Sequence, residues 1–198
     1  MFKYVLLILS VCWIAARPLS INAIQGQKGA QPEAEKLRTA LAELQKSPAD
    51  LKLQQAYLDS FPHTYAEFLK LFDLDQPLYD GHDYIEILRS LSQTHEHEIG
   101  KLLVSLSKDA KYEADAPSYL QDVTAVYGSE HPVAFAGLLK ELSAEERGRL
   151  ISFLADVEVH DSSSAYSKII SELETRHETQ LANDFKIAKQ KRQQRSDH

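Results

Sequence analysis

The stretch YIEILRSLSQTHEHEIGKLLVSL, residues 84–106, decides the fold class. Eight of its ten apolar residues form two sets of four, each with the spacing i, i+3, i+4 and i+7, and these are Tyr84, Ile87, Leu88 and Leu91, then Ile99, Leu102, Leu103 and Leu106. That spacing places four side chains on one stripe of an α-helix, and each stripe needs a partner that buries it. The segment therefore predicts two amphipathic helices joined by a short turn.

The same spacing recurs on both sides of this segment. It fits residues 65–72, 135–142, 150–157 and 166–173, and weaker versions occur in residues 37–44, 51–61 and 119–127. Glycine and proline, at seven residues each, are few, and 43% hydrophobic with 26% charged residues is typical of a folded globular chain. We therefore expect an all-α fold, built of antiparallel helical hairpins that form a multi-helix bundle or a short HEAT-like α-solenoid.

An internal similarity bears on the choice between these two architectures. Shifting residues 84–106 by 51 positions places them on residues 135–157 without a gap, and the apolar positions coincide. A duplicated hairpin in a solenoid predicts this match. Any two amphipathic hairpins of equal length predict it as well, and this second interpretation is favoured because most of the matched positions are core positions.

Several helix starts carry capping signals. Ser47 followed by Pro48 is typical of an N-cap with proline at the first helical position. Thr64 with Glu67 and Ser143 with Glu146 have the spacing of a capping box, in which each side chain satisfies a free backbone N–H.

The N-terminus is typical of an export signal. Lys3 precedes the apolar run Tyr4–Ala16, which at 13 residues is shorter than the roughly 20 that span a bilayer. We expect a signal peptide over residues 1–23, a flexible linker over 24–32, an all-helical domain over 33–184 and a basic C-terminal tail over 185–198. The mature chain is then periplasmic or extracellular, lacks a transmembrane segment and contains no cysteine, because Cys12 is removed with the signal.

Charge is distributed unevenly along the chain. Residues 24–184 contain 15 basic and 28 acidic residues, a net charge of −13, whereas residues 185–196 contain five basic residues and no acidic one. This balance argues against nucleic-acid binding by the folded body. It favours a basic protein as the partner.

Two stretches combine acidic and aromatic residues. The first lies in a glycine-containing turn before a helix, where Asp80 or Asp83 is expected to cap the helix and Gly81 permits unusual backbone angles. The second lies between residues 112 and 127. Tyrosines among carboxylates suit the recognition of a basic protein, and the candidate binding residues are Tyr79, Asp80, His82, Asp83, Tyr112, Glu113, Asp115, Tyr119 and Asp122.

The sequence predicts no cofactor, no metal site and no catalytic residues. The run His95–Glu98 and the pair Asp156 and His160 contain metal-ligand types, but solvated helix ends explain both better. The leading hypothesis is an exported protein-binding module, such as an inhibitor or immunity protein. The alternatives are an envelope hydrolase that uses carboxylates such as Glu96, Glu98 or Glu130, and an envelope scaffold.

Overall fold

A computed structural model describes residues 21–111, 115–156 and 160–196. Within these residues the chain forms ten α-helices and no strand, which confirms the all-α prediction. The helices are α1 (Ile21–Lys46), α2 (Leu51–Leu58), α3 (Tyr65–Phe72), α4 (His82–Leu91), α5 (Glu96–Ser107), α6 (Asp115–Glu130), α7 (Pro132–Glu141), α8 (Ala144–Ala155), α9 (His160–Thr175) and α10 (Thr179–Ser196).

Both predicted capping boxes are confirmed. The hydroxyl of Thr64 accepts a hydrogen bond from the Glu67 amide at the start of α3, and Ser143 and Glu146 repeat the arrangement at the start of α8. The predicted N-cap at Ser47 is wrong. Helix α2 begins three residues later, where the Asp50 carboxylate accepts from the amides of Lys52 and Leu53, because an extended Asp at this position reaches two free N–H groups.

Helix α6 lies at the centre of the fold. It packs against α4, α5, α7, α8 and α9, and Leu120, Val123, Ala125 and Tyr127 on several sides of it are all buried. In a solenoid each repeat contacts only its neighbours in sequence. With two helices in a repeat, the partners of α6 all belong to its own or an adjacent hairpin, so these contacts are consistent with a helical bundle and with a solenoid-like all-α fold.

The polar residues of α6 are paired inside the fold. The Thr124 hydroxyl donates to the Leu120 carbonyl at 2.7 Å and lies 3.0 Å from the Ser107 hydroxyl of α5. The Gln121 amide donates to the Phe153 carbonyl of α8. These bonds compensate the cost of burying hydroxyl and amide groups and fix how α5 and α8 lie against α6.

The two similar segments share α6 as a packing partner. Helices α4 and α5 lie on α6, and so do α7 and α8, although α8 makes most of its contacts with α10.

Helical structure extends beyond the expected domain limits. Residues 24–32, where a linker is expected, lie within α1, and Ala30 and Ala34 are buried one turn apart beside Leu37. Residues 185–196, expected as a tail, continue α10, where Phe185 is fully buried with its ring 5.2 Å from that of Tyr166. Ala30 and Phe185 therefore belong to the core, although they lie in the segments where a linker and a tail are expected. The expected signal segment 1–20, including Cys12, lies outside the described residues.

Candidate functional site

The loop that joins α3 to α4 carries the first acidic–aromatic stretch. Its path is fixed by Arg38 of α1, whose guanidinium donates to the Pro77 carbonyl at 2.6 Å, and by the Leu78 amide, which donates to the Leu71 carbonyl at 2.8 Å. Leu78 is buried, and Tyr79 after it is half-buried. Asp80 is therefore presented to solvent from a well-anchored turn.

Gly81 begins α4 for a reason that differs from the predicted one. Its φ of −86° is negative, so this position does not require the left-handed backbone that favours glycine. A Cβ at this position would lie 2.7 Å from the Leu78 carbonyl oxygen and 2.9 Å from the Tyr84 ring. Glycine therefore serves a close approach of backbone and ring.

The predicted caps of α4 are also wrong. Gly81 occupies the N-cap position and no side chain caps the helix, so neither Asp80 nor Asp83 does so. Asp83 instead lies in the first turn, where its charge complements the helix dipole. Its carboxylate is 2.9 Å from Nε2 of His82, and both side chains are more than half exposed.

The structure brings the two predicted stretches together. The His82 ring at the start of α4 lies 5.5 Å from the Tyr119 ring near the start of α6. Tyr119 and Asp122 are half-buried on α6. Asp115 is the first residue of α6, whereas Tyr112 and Glu113 lie outside the described residues.

Helices α4 and α6 run parallel. His82 meets Tyr119 near their starts, and the Arg89 guanidinium lies 3.9 Å from the Glu130 carboxylate near their ends. We call the surface at the shared start the acidic–tyrosine face; it comprises His82, Asp83 and Tyr119, which are in contact, and the preceding Tyr79 and Asp80 of the loop. Asp122 follows about one turn after Tyr119 on α6, with its Oδ1 buried.

Charge around this face is strongly negative. Residues 73–91, the loop and α4, contain five carboxylates, and the cations nearest to them are Arg89 in the same segment and Arg38, whose guanidinium lies at the Pro77 carbonyl. Because Arg89 lies near the far end of α4 beside Glu130, it does not offset the carboxylates of the acidic–tyrosine face.

An exposed apolar residue in the same loop was missed from the sequence. Leu74 is 61% exposed in the loop between Asp73 and Asp75. Asp75, the next residue, has a positive φ of 64°, so the backbone of the loop is not helical at this point. The signal was present in the run DLDQPLYD, residues 73–80, whose turn-forming residues predict a loop rather than a buried strand or helix.

The residues that were considered for a metal site or for hydrolysis pair with other side chains of the protein. At the start of α5, His95 contacts Gln54 and Glu98, and Glu96 lies 3.6 Å from His131. No group of three metal-ligand residues converges anywhere in the described part of the chain. Asp156 forms an ion pair with Arg192 of α10, and the side chain of His160 is not described.

Two clefts lie away from the acidic–tyrosine face. One of about 610 Å³ lies beside α1 and α3 and is lined by residues such as Lys36, Phe61 and Lys70. Another of about 570 Å³ lies beside α8 and α10, where the basic groups Arg149 and Arg192 pair with Asp109, Glu145 and Asp156. Neither cleft includes a predicted binding residue.

No protein-family model, curated protein or solved structure matches the chain. Among the helices of the described residues, none combines the length and the apolar character that crossing a membrane requires.

Proposed function

We propose that this protein is an exported binding module that engages a basic protein through its acidic–tyrosine face. The observation that carries this proposal is the contact between His82 and Tyr119 at 5.5 Å, which makes one surface of two acidic–aromatic stretches 37 positions apart in sequence. The apolar run before residue 17 supports export, and a periplasmic or extracellular inhibitor or immunity protein is the concrete form of the proposal.

The composition of the face suits protein recognition. Tyrosine provides a large contact area at a small loss of side-chain freedom, and half-buried rings such as those of Tyr79 and Tyr119 are held in place before binding. Asp80 and Asp83 remain exposed around them. Exposed carboxylates raise the association rate with a cationic partner and exclude acidic ones.

The parallel arrangement of α4 and α6 makes the face rigid. Both helix starts are tied to the core, because Ile85 of α4 and Leu120 of α6 are buried and the preceding loop is held by Arg38. A rigid surface loses little conformational entropy on association. We therefore expect binding by a preformed surface without a large rearrangement.

The experiment compares two charge-reversal variants of equal net charge. Asp80→Lys with Asp83→Lys alters the acidic–tyrosine face, whereas Glu43→Lys with Glu141→Lys alters exposed carboxylates on α1 and α7. A photo-crosslinking residue at position 80 identifies a contacting protein in an envelope extract of the source cells. The purified partner is then titrated at about 50 and 300 mM salt, a range over which screening of exposed charges increases strongly.

We expect the partner to be basic, its binding to weaken with salt, and the Asp80 and Asp83 double variant to bind at least tenfold more weakly than the wild type. The Glu43 and Glu141 double variant should bind as the wild type does. Equal losses in both double variants, or binding that is independent of salt, would contradict the proposal.

A further inference from the structure

The cleft of about 610 Å³ beside α1 and α3 has the size of a small-molecule site. Cavities that bind small molecules measure roughly 300–1,000 Å³. Helices α1 and α3 each contribute three lining residues, and residues 59–63, which follow α2, contribute the rest. None of these residues belongs to the acidic–tyrosine face, so a ligand in the cleft is distinct from the partner proposed above.

One part of the cleft is apolar. Four of its lining residues are apolar and buried, namely Ala30, Phe61, Pro62 and Leu71. Phe61 is only 2% exposed, and its ring centroid lies 6.0 Å from those of Tyr57 and Phe72. Because this packing fixes the Phe61 ring in the core, the apolar surface is formed before a ligand arrives.

Two lysines line the cleft, one on each of the two helices. The Lys36 ammonium of α1 donates to the Asp59 carbonyl at 3.3 Å, which ties this side chain to a second lining residue and leaves two of its three N–H groups for other acceptors. Lys70 of α3 is exposed, and its ammonium pairs with no residue in the described part of the chain. Both ammonium groups are therefore available to a carboxylate.

Three carboxylates also line the cleft, and two of them are engaged in hydrogen bonds. Oε2 of Glu67 accepts from two backbone amides just before α3, both at 3.1 Å, and Oδ1 of Asp59 accepts from a glutamine side chain of α2 at 3.0 Å. Glu33 of α1 is exposed and accepts no hydrogen bond from the residues that the structure describes. Glu33 is therefore the carboxylate that remains available to a cationic group.

The available charges of both signs lie close together on α1. Glu33 and Lys36 are three residues apart, so they share one face of the helix with Cβ atoms roughly 5–6 Å apart. A purely anionic ligand would be repelled by Glu33, and a purely cationic one by Lys36 and Lys70. A zwitterion satisfies both signs.

The two termini of a short peptide match this arrangement. An extended dipeptide separates its ammonium from its carboxylate by about 7 Å, at roughly 3.5 Å for each residue. That span is comparable to the separation of Glu33 and Lys36, and apolar side chains of the peptide can then contact the apolar part of the cleft. Burial of those side chains provides most of the affinity, because exposed ion pairs contribute little each.

We propose that the cleft beside α1 and α3 binds short peptides with apolar side chains by their free termini. Lys36 and Lys70 hold the C-terminal carboxylate, Glu33 holds the N-terminal ammonium, and Phe61 and Leu71 contact the side chains. Binding is non-covalent and leaves the peptide intact. It requires no partner protein and does not depend on the acidic–tyrosine face.

Three forms of one peptide test the class of ligand. Leucyl-leucine carries both charges, its N-acetyl form lacks the ammonium, and its C-terminal amide lacks the carboxylate. Calorimetric titration of the protein at about pH 7 should show saturable binding of leucyl-leucine, and binding about fivefold weaker for each of the other two forms, as expected of one exposed charge pair. Equal affinities for the three forms, or no saturable binding up to about 5 mM peptide, would overturn the proposal.

Each charged residue should respond to one terminus of the peptide. Lys70→Met should weaken the binding of leucyl-leucine about fivefold and leave the affinity of the C-terminal amide unchanged. Glu33→Gln should weaken the binding of leucyl-leucine by a similar factor and leave the affinity of the N-acetyl form unchanged. Losses of equal size for all three peptide forms would contradict the assigned contacts.

Lys52→Met is the matched control, because Lys52 is exposed on α2 and does not line the cleft. It changes the net charge as Lys70→Met does, and it should bind leucyl-leucine as the wild type does. Methyl NMR provides the location. The methyl groups of Leu71 should shift when the peptide is added, whereas those of Ile151, which lines a cleft beside α8 and α10, should not. Shifts at Ile151 alone would place the peptide in that other cleft and refute the proposal.

Discussion

The phenol of Tyr127 packs directly on Gly100, so closely that a Cβ at position 100 would lie 2.2 Å from the phenol oxygen. The same hydroxyl donates to the Glu96 carbonyl at 3.0 Å, one turn earlier in α5. Gly100 therefore makes room on α5 for the Tyr127 ring of α6, and the Leu138 side chain of α7 would also lie 2.7 Å from such a Cβ. The packing of α5, α6 and α7 at this point therefore requires glycine at position 100.

Gly100→Ala should therefore destabilise the protein by about 3 kcal/mol, because Tyr127 and Leu138 are both buried and have little room to move. The free energy of unfolding in urea measures this effect. The loss should exceed the gain in helix propensity that alanine brings, roughly 1 kcal/mol.

Gly137→Ala provides the control for that substitution. Gly137 lies in α7 and is exposed, and no atom lies within 4 Å of a Cβ built there. This variant should be more stable than the wild type by roughly 0.5–1 kcal/mol. Opposite signs for the two glycines support the described approach of α5 and α6, and equal effects would contradict it.

The buried hydroxyl pair between α5 and α6 predicts an asymmetric response. Thr124 donates to the Leu120 carbonyl, so the Ser107 hydroxyl is the donor in the pair. Thr124→Val leaves that donor without an acceptor and should cost about 1–3 kcal/mol of unfolding free energy. Ser107→Ala should cost less, and adding it to Thr124→Val should recover part of the loss. Additive effects in this double-mutant cycle would contradict the assigned direction of the bond.

The sequence predicted the outer helices better than the central one. Helices α3, α4 and α8 each bury one face, and the buried residues on these faces include Phe68, Leu88 and Leu154. The apolar residues of each of these helices therefore follow the 3.6-residue period clearly. Helix α6 is buried on several sides, and its polar residues Gln121, Thr124 and Ser129 are buried as well. The helical period of its apolar residues is therefore weak. Its central place depends on contacts with five other helices, which local periodicity does not contain.

The sequence identified the two stretches of the candidate surface separately. Composition identified both stretches, but only the packing of α4 beside α6 joins His82 to Tyr119. The caps assigned to Asp80 and Asp83 were wrong because Gly81 is the N-cap residue of α4, where it closely approaches Leu78 and Tyr84, and no side chain caps the helix. Leu74 was missed because its exposure follows from the course of the loop.

Three buried tyrosines predict unfolding in alkali. Burial raises the pKa of Tyr57 and of Tyr166 well above the ordinary value of 10.0, and that of Tyr127 to about 12. These groups are more easily ionised in the unfolded chain, so the stability that they contribute is complete below about pH 10 and is lost as the pH rises further. Ultraviolet absorbance of tyrosinate should show them titrating together with the loss of helical circular dichroism.

Tyr166→Phe tests the contribution of a single ring. The Tyr166 hydroxyl donates to the Phe185 carbonyl at 2.7 Å, between α9 and α10. The variant should be less stable at pH 7 by about 1 kcal/mol, and the difference from the wild type should shrink above about pH 10, where the wild-type phenol begins to destabilise the fold. A difference that stays constant up to the alkaline transition would contradict the burial of this hydroxyl.

The capping box of α8 predicts a response to acid. The Lys108 ammonium donates to Glu146 at 2.8 Å, and this bond, followed by those from the Ser143 hydroxyl and amide, lowers the pKa of Glu146 from 4.5 to about 2. A depressed folded-state pKa means that the stabilisation is present above about pH 4.5 and is lost as the pH falls toward 2. Carbon-13 NMR of the carboxyl groups measures this titration directly.

Lys108→Met should raise the pKa of Glu146 more than Ser143→Ala does, because the bond from Lys108 is the largest cause of the shift. Glu67 is the internal control. It lies in the capping box of α3, where hydrogen bonds from the His63 and Thr64 amides and the Thr64 hydroxyl outweigh burial and lower its pKa. Its titration should be the same in Lys108→Met as in the wild type. A larger shift of Glu146 in Ser143→Ala would mean that the cap, rather than the tie between α5 and α8, holds this carboxylate ionised.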